Sequence, residues 1–427
     1  MQEKFIQTIA NTSLWASIIA CLVIISLGYI LAKVGVLKKE WKKPLIETCM
    51  TVGVWSLTLI SFMTTTTIKQ LQEQAIVLGL AFVFYGGLCL IAWLWVKYFP
   101  FKVPTSVQKA NDSTTIGILS NTETLEEKRN NALVIWMLLI FGSTTFFGLP
   151  IVQQLYEGDG GLLSVNIWTI PYRIFGYTFL MMQMLGIKFD KKNAKKSFRN
   201  IILNPVILLI IIGLLCWLSQ LIPGAGISTK NLDAPVRLKL ENGSYLISYQ
   251  YQTFGPNFSR IYLVDNNNNF NKYIYDIAKK VYILTNINAV GWFEWKITMP
   301  YFYKPINIMA SLCSPLIWIA IGMTLSESSF REATKDKWVW IYALFKMVII
   351  PIIIYLIFLA LFKQNLVTKN VAIAMVIICA TPPGTLVVAF AISGNKGVKI
   401  SASTSAICTI LAIVAIPIWI LICEMTM

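Results

Sequence analysis

The sequence predicts an all-α polytopic membrane protein of ten transmembrane helices, built as two inverted five-helix repeats, with a small β-rich extracellular insertion. Three observations carry this expectation. Apolar stretches of about 20 residues, the length a helix needs to cross the hydrocarbon of a bilayer, follow one another along nearly the whole chain. Basic residues gather in every second connection between them. Two of the stretches also hold proline, glycine and hydroxyl side chains in their interior, where a simple lipid anchor would avoid them.

Of the 427 residues 56% are hydrophobic and 13% charged, which lies outside the soluble range. Spans are expected near residues 14–36, 44–66, 75–97, 132–155, 161–186, 200–222, 301–326, 338–362, 370–393 and 400–425. The first is too long for a cleaved signal peptide and lacks a small-residue cleavage site, so it is expected to stay as a membrane helix. Residues 98–131, between spans three and four, are polar and of mixed charge and read as a flexible connection. Residues 223–300 differ in composition, with aromatic and β-branched runs such as "YLISYQYQTF" broken by Asn, Gly and Asp. That pattern predicts a few strands and turns.

The formal net charge of +16 does not point to nucleic acid, because the basic residues sit in short loops between spans. Lys38, Lys39, Lys42 and Lys43 follow span one; Lys97, Lys102, Lys109, Lys128 and Arg129 follow span three; Lys188, Lys191, Lys192, Lys195, Lys196 and Arg199 follow span five. Arg331, Lys335 and Lys337 follow span seven, and Lys396 and Lys399 follow span nine. The alternate connections are nearly bare of positive charge, so the positive-inside rule places both termini and residues 223–300 outside a cell membrane. All eight cysteines fall in expected spans and read as packing residues rather than disulfides. Histidine is absent, which excludes His-based proton relays, metal sites and catalytic triads, and no nucleotide-binding loop occurs. Neither an enzyme nor a bound metal or cofactor is expected.

The basic loop after span five divides the spans evenly: residues 1–190 form one half, and residues 191–222 with 301–427 the other. An odd number of spans per half makes the second half enter the membrane inverted, the condition for an inverted repeat. Short echoes agree: "CMTVGVW" in span two with "CSPLIW" in span seven, and "GLPIV" in span four with "TPPGT" in span nine.

Those last two segments hold the candidate chemistry. Span four contains "FGSTTFFGLPIV" and span nine "CATPPGTLVV". Proline is favoured at the first turn of a helix, so a half-helix is expected to begin at Pro150 and another at Pro382 or Pro383. Two such N-terminal ends facing one region from opposite sides carry partial positive charge and unpaired N–H groups suited to an anion. Ser143, Thr144, Thr145, Thr381 and Thr385, with Gly384 beside them, would add hydroxyl donors and close backbone approach. The bland alternative is a pair of proline kinks whose hydroxyls bond back to helix carbonyls. Two cations lie at membrane depth, Arg173 in "TIPYRIFGY" and Lys346 in "YALFKMVII". Charges at such depth are costly and usually face a cavity or a partner. Arg173 could clamp a carboxylate; Lys346 could neutralise the site or titrate during transport; snorkelling is the alternative for both. Glu47 and Glu327 fall near span ends and read as solvated.

"FGSTTFFGLPIV", "NPVILLIIIGLLCWL", "PLIWIAIGMTLSE" and "SASTSAICTILAIVAIPIWIL" together resemble the auxin efflux carrier family in its bacterial branch. The resemblance covers both halves and not residues 223–300. It implies a ten-helix transporter of two inverted repeats, with proline-broken helices four and nine crossing beside the substrate site, that moves small organic anions. Pro150 matches the crossover proline of helix four, and Pro382 or Pro383 that of helix nine. Where the family has Asn in a Gly-Asn-Thr-like motif this chain has Gly142, Ser143, Thr144, and span two lacks the family's Asn and Pro. These departures bear on the substrate rather than the fold.

The expected function is therefore secondary transport of a small organic anion by alternating access. The expected partners are the solute, the lipid bilayer, a second copy in a homodimer and an extracellular partner of residues 223–300. Two rivals stand beside it: a carrier of a neutral or cationic solute on the same scaffold, and a membrane protein that has lost transport and binds a partner through the insertion.

Overall fold

The computed structural model describes residues 12–98, 125–156, 160–186, 205–222, 225–253, 260–266, 269–286, 288–326, 334 and 337–427. Most of the connection at 98–131, the basic loop after span five and Glu327 lie outside these residues. What is described is mostly helical, with one small antiparallel sheet. In chain order the helices are α1 (Thr12–Lys33), α2 (Lys42–Thr48), α3 (Val54–Phe62), α4 (Ile68–Tyr98), α5 (Leu125–Ile140), α6 (Leu149–Tyr156), α7 (Gly161–Phe175), α8 (Met181–Leu185) and α9 (Pro205–Ser219). After the sheet come α10 (Trp295–Thr298), α11 (Pro300–Ser311), α12 (Cys313–Ser326), α13 (Lys337–Leu344), α14 (Ile350–Lys363), α15 (Lys369–Cys379), α16 (Thr385–Ser393) and α17 (Val398–Thr426). Wider π turns at Cys49–Gly53, Thr144–Gly148, Gly176–Leu180 and Phe345–Ile349 interrupt the α-helical runs.

Five stretches are long and apolar enough to cross a membrane: Lys39–Phe62, Ile68–Tyr98, Pro300–Ser326, Val339–Lys363 and Ser403–Thr426. Shorter apolar helices cover Leu22–Lys33, Arg129–Ile140, Pro205–Ser219 and Lys369–Cys379. The chain divides into two compact units, one of Met1–Val54, Gln72–Leu208 and Ser311–Met427, the other of Trp55–Leu71 and Leu209–Ala310.

In the first unit α1 and α12 pack backbone to backbone. A methyl group built on Gly28 would stand 2.5 Å from the Ile319 carbonyl oxygen, and one on Gly322 would stand 2.6 Å from the Tyr29 nitrogen. Glycines facing each other in this way let two membrane helices approach closely and gain dispersion contact. Helix α15 is buried all round from Val371 to Cys379, as a helix at the centre of a bundle must be. Its first turn is held by polar groups: the Thr368 N–H donates to the buried Glu73 carboxylate, and Lys369 pairs with Glu424 at 2.7 Å. Glu424 also accepts from the Tyr156 hydroxyl at 2.8 Å.

The second unit holds the sheet, β1 (Ser228–Lys239), β2 (Tyr245–Thr253), β3 (Arg260–Asn266), β4 (Asn269–Asp276) and β5 (Val281–Leu284), paired in sequence order and antiparallel throughout. Alternation along β3 sorts its side chains into two layers. Ile261 and Leu263 pack with Ala289 and Val290 on one face, while Tyr262 and Val264 pack with Leu238 and Tyr273 on the other. Between β1 and β2 the Asn242 side chain accepts the Ser244 N–H at 3.0 Å, and Gly243 takes the positive φ of 82° that the turn requires.

Candidate functional site: two broken helices that cross

Helix α5 stops at Ile140, and the chain resumes helical form at Thr144. Helix α15 stops at Cys379, and α16 begins at Thr385. The two gaps meet. Gly142 and Pro383 form an isolated antiparallel bridge, in which the Ser143 N–H donates to the Pro382 carbonyl at 2.7 Å and the Gly384 N–H donates to the Phe141 carbonyl at 2.8 Å. Gly142, Ser143, Thr381, Pro382, Pro383 and Gly384 are all buried there.

Each break follows from its sequence. A continuous α-helix would send the N–H of residue 382 to the carbonyl of Ile378 and that of residue 383 to Cys379, and proline supplies neither. The Ile378 carbonyl instead accepts the Thr381 hydroxyl at 2.6 Å. On the other strand of the crossing no proline lies in the gap. The Ser143 N–H, whose helical acceptor would be Leu139, turns to Pro382, and the Lys346 ammonium takes the freed Leu139 carbonyl at 2.9 Å. Glycines make the approach possible. A methyl on Gly384 would stand 2.9 Å from the Phe141 carbonyl oxygen and 3.0 Å from that of Gly142. One on Gly142 would stand 2.5 Å from the Thr381 hydroxyl and 3.1 Å from Lys346 Nζ.

Pro150 is placed differently from the expectation. The half-helix after the gap starts at Thr144 as a π turn, and Pro150 is buried just inside α6, beyond that turn. The reason is local: the Leu149 N–H reaches back to the Thr144 carbonyl, and the widened turn accommodates a residue that has no N–H to give and a ring that crowds the preceding turn. Pro150 therefore shapes the second half-helix rather than the crossing.

Of the other expected residues, Thr144 is 1% exposed and its hydroxyl has no hydrogen-bond partner among the described residues. Thr145 lies half-buried in the same π turn. Thr381 bonds back to its own helix, as the bland alternative supposed. Thr385 opens α16, and its side chain lies outside the described set. Lys346 is 2% exposed and abuts the crossing directly. Arg173 is 6% exposed, its Nε has no hydrogen-bond partner, and among the described residues no carboxylate lies within ion-pair distance of it or of Lys346. Its neighbours reach the crossing: the Tyr172 hydroxyl would stand 3.1 Å from a methyl on Gly384, and a methyl on Gly176 would lie 3.4 Å from Leu386. Glu47 is exposed beside Lys43.

Other groups at the site were not visible in the sequence. Tyr85 stacks on Phe141 with ring centroids 5.8 Å apart, Tyr172 meets Phe141 edge-on at 5.5 Å, and the Trp168 indole N–H donates to the Tyr85 hydroxyl at 3.1 Å. These aromatics come from spans whose apolar runs give no local signal. Half-helix α6 is tied to α12 by the Ser314 hydroxyl, which donates to Gln153 at 3.1 Å, both groups buried. A cavity of about 400 Å³ beside α6 is lined almost wholly by apolar groups, Phe147, Ile151, Trp318 and Ile416 among them, with no charged residue, and offers nothing to hold an ion.

The comparison with protein families bears on the second strand of this crossing. Residues 283–420 match the model of the family described as membrane transport protein, the family of the auxin efflux carriers. Over these residues the chain is a member of that transport family. The matched region runs from the end of β5 through most of α17 and includes Lys346 and the whole Thr381–Thr385 gap. Comparison with curated proteins gives no match. Family membership and the apolar helices make the chain an integral membrane protein of a transporter family, consistent with the absence of enzymatic motifs.

Proposed function

We propose that the protein is a secondary carrier of a small organic anion that works by alternating access, with the helix crossing as its binding site. The observation that carries this is the charge at the site: two buried cations, Lys346 and Arg173, with no described carboxylate in ion-pair reach of either. A buried charge left unpaired is costly, and an arriving carboxylate would offset that cost. Two helical segments also begin beside the crossing, at Thr144 and Thr385, and the orphaned Thr144 hydroxyl offers a donor. In this reading residues 1–190 and residues 191–222 with 301–427 are the inverted repeats, and residues 223–300 face outward from a cell membrane. Ser143, Thr145, Pro150, Pro382, Pro383 and Gly384 shape the site's backbone.

Binding of labelled monocarboxylates and dicarboxylates to purified protein, beside a panel of amino acids and organic cations, tests the substrate class. Saturable binding of a carboxylate is the expected result. Binding of neutral or cationic solutes alone would favour the other solute class on the same scaffold. One observation favours the partner-binding alternative: β2 exposes Tyr245, Ile247 and Tyr249 in a row, at 62%, 48% and 63%. Deleting residues 228–296 separates the two, since a carrier keeps flux and a receptor loses its partner.

A further inference from the structure

We infer that Lys346 is the carrier's built-in cation: its ammonium stands where a coupling ion would coordinate, so exchange of the anion needs no inorganic cation. The inference rests on reading the crossing as an anion site. Where a membrane helix breaks, the end of its first half leaves carbonyls without N–H partners, and in broken-helix carriers such ends and the unwound backbone beside them coordinate Na⁺ or H⁺. Here that place is filled. The Leu139 carbonyl, released because the Ser143 N–H has gone to Pro382, accepts from Lys346 Nζ at 2.9 Å. The same nitrogen and the Thr381 hydroxyl, from the second gap, both lie within about 3 Å of the point where a Gly142 methyl would stand, so the ammonium touches both breaks. A cation is also favoured at the negative end of a helix dipole, and α5 ends there.

The chain has built the approach. The π turn Phe345–Ile349 carries Lys346 inside the apolar stretch Val339–Lys363, where it is 2% exposed. Among the described residues no carboxylate lies within ion-pair distance, so the positive charge is left for the helix end and for the ligand. A monoanion bound beside it makes the loaded site neutral, whereas the empty site carries the lysine's charge. Exchange, in which the carrier crosses loaded in both directions, should then be insensitive to membrane potential, and net uptake, which needs an empty return, should respond to it.

The test uses full-length protein in proteoliposomes, with counterflow of labelled acetate, malonate and malate measured in Na⁺, K⁺ and choline media. Wild type is expected to keep its rate within two-fold across the three media and across potentials clamped with a K⁺ ionophore in K⁺ medium. Lys346→Gln is expected to lose at least ten-fold in all three, with Lys346→Arg retaining more. A ten-fold loss of wild-type rate in choline, or Lys346→Gln at the wild-type rate, would overturn the inference. The melting temperature of the detergent-purified wild type against Na⁺, K⁺ and Li⁺ at constant ionic strength tests the cation claim without any substrate. No saturable shift is expected, and a saturable rise with one of them would overturn it. Failure of every carboxylate to move in folded wild type would instead count against the anion reading, leaving the melting experiment to decide the cation claim.

Discussion

At Gly384 an added methyl meets two backbone carbonyl oxygens, those of Phe141 and Gly142, at 2.9 and 3.0 Å, and neither can move without opening the bridge. Gly384→Ala is therefore expected to lower stability by about 1–3 kcal/mol, the usual cost of overpacking, read as a lower thermal midpoint in detergent. Gly87 is the control, since nothing lies within 4 Å of its built methyl. In a helix interior Gly87→Ala should raise stability by about 0.5–1 kcal/mol, and equal loss at both positions would contradict the account. Thr144 makes a different prediction. Its buried hydroxyl lacks a partner, and an unsatisfied buried polar group costs about 1–3 kcal/mol. Thr144→Val should leave stability unchanged or higher while weakening carboxylate binding; weaker folding with unchanged binding would show that the hydroxyl is structural.

The elements themselves were largely legible, because a run of apolar residues long enough to cross a bilayer needs no partner to be recognised. The crossing was legible only in part. Pro382 and Pro383 break span nine by removing two donors, which a sequence shows directly. Span four breaks at Phe141–Ser143, where no proline lies, because the Ser143 N–H finds a better acceptor in a segment more than two hundred residues away. That cause is tertiary, and Pro150 drew attention away from it. The cap that Lys346 supplies to Leu139 was hidden for the same reason. Packing between elements gives a sharper test than either break. Cys49 and Cys313, on facing elements, are buried with their sulfurs 3.7 Å apart, and a methyl on Gly53 would stand 3.0 Å from Cys313 Cα. Mild oxidation with copper phenanthroline should join the pair within one chain, detected by mass spectrometry of the peptides, whereas Cys89 and Cys216 should stay reduced. Absence of that cross-link under conditions that oxidise exposed thiols would contradict the packing of the Cys49–Gly53 turn on α12.

For the whole molecule the claim is that a membrane transport protein with two broken helices moves its solute through their crossing. The sheet of the second unit was foreseen from alternating aromatic and β-branched residues, and its two-layered β3 explains why those runs alternate as they do. The charge pattern that suggested orientation acts on the assembled protein in a bilayer and belongs to the proposal. The most direct measurement is counterflow of labelled carboxylates in proteoliposomes, comparing wild type with a Pro382→Ala, Pro383→Ala variant of equal insertion. Alanine at both positions restores the N–H donors that Ile378 and Cys379 lack, and so lets α15 run on towards α16. The account predicts saturable counterflow in wild type and at least a ten-fold loss in the variant. Equal rates in the two proteins, or no saturable counterflow of any carboxylate by folded wild type, would contradict it.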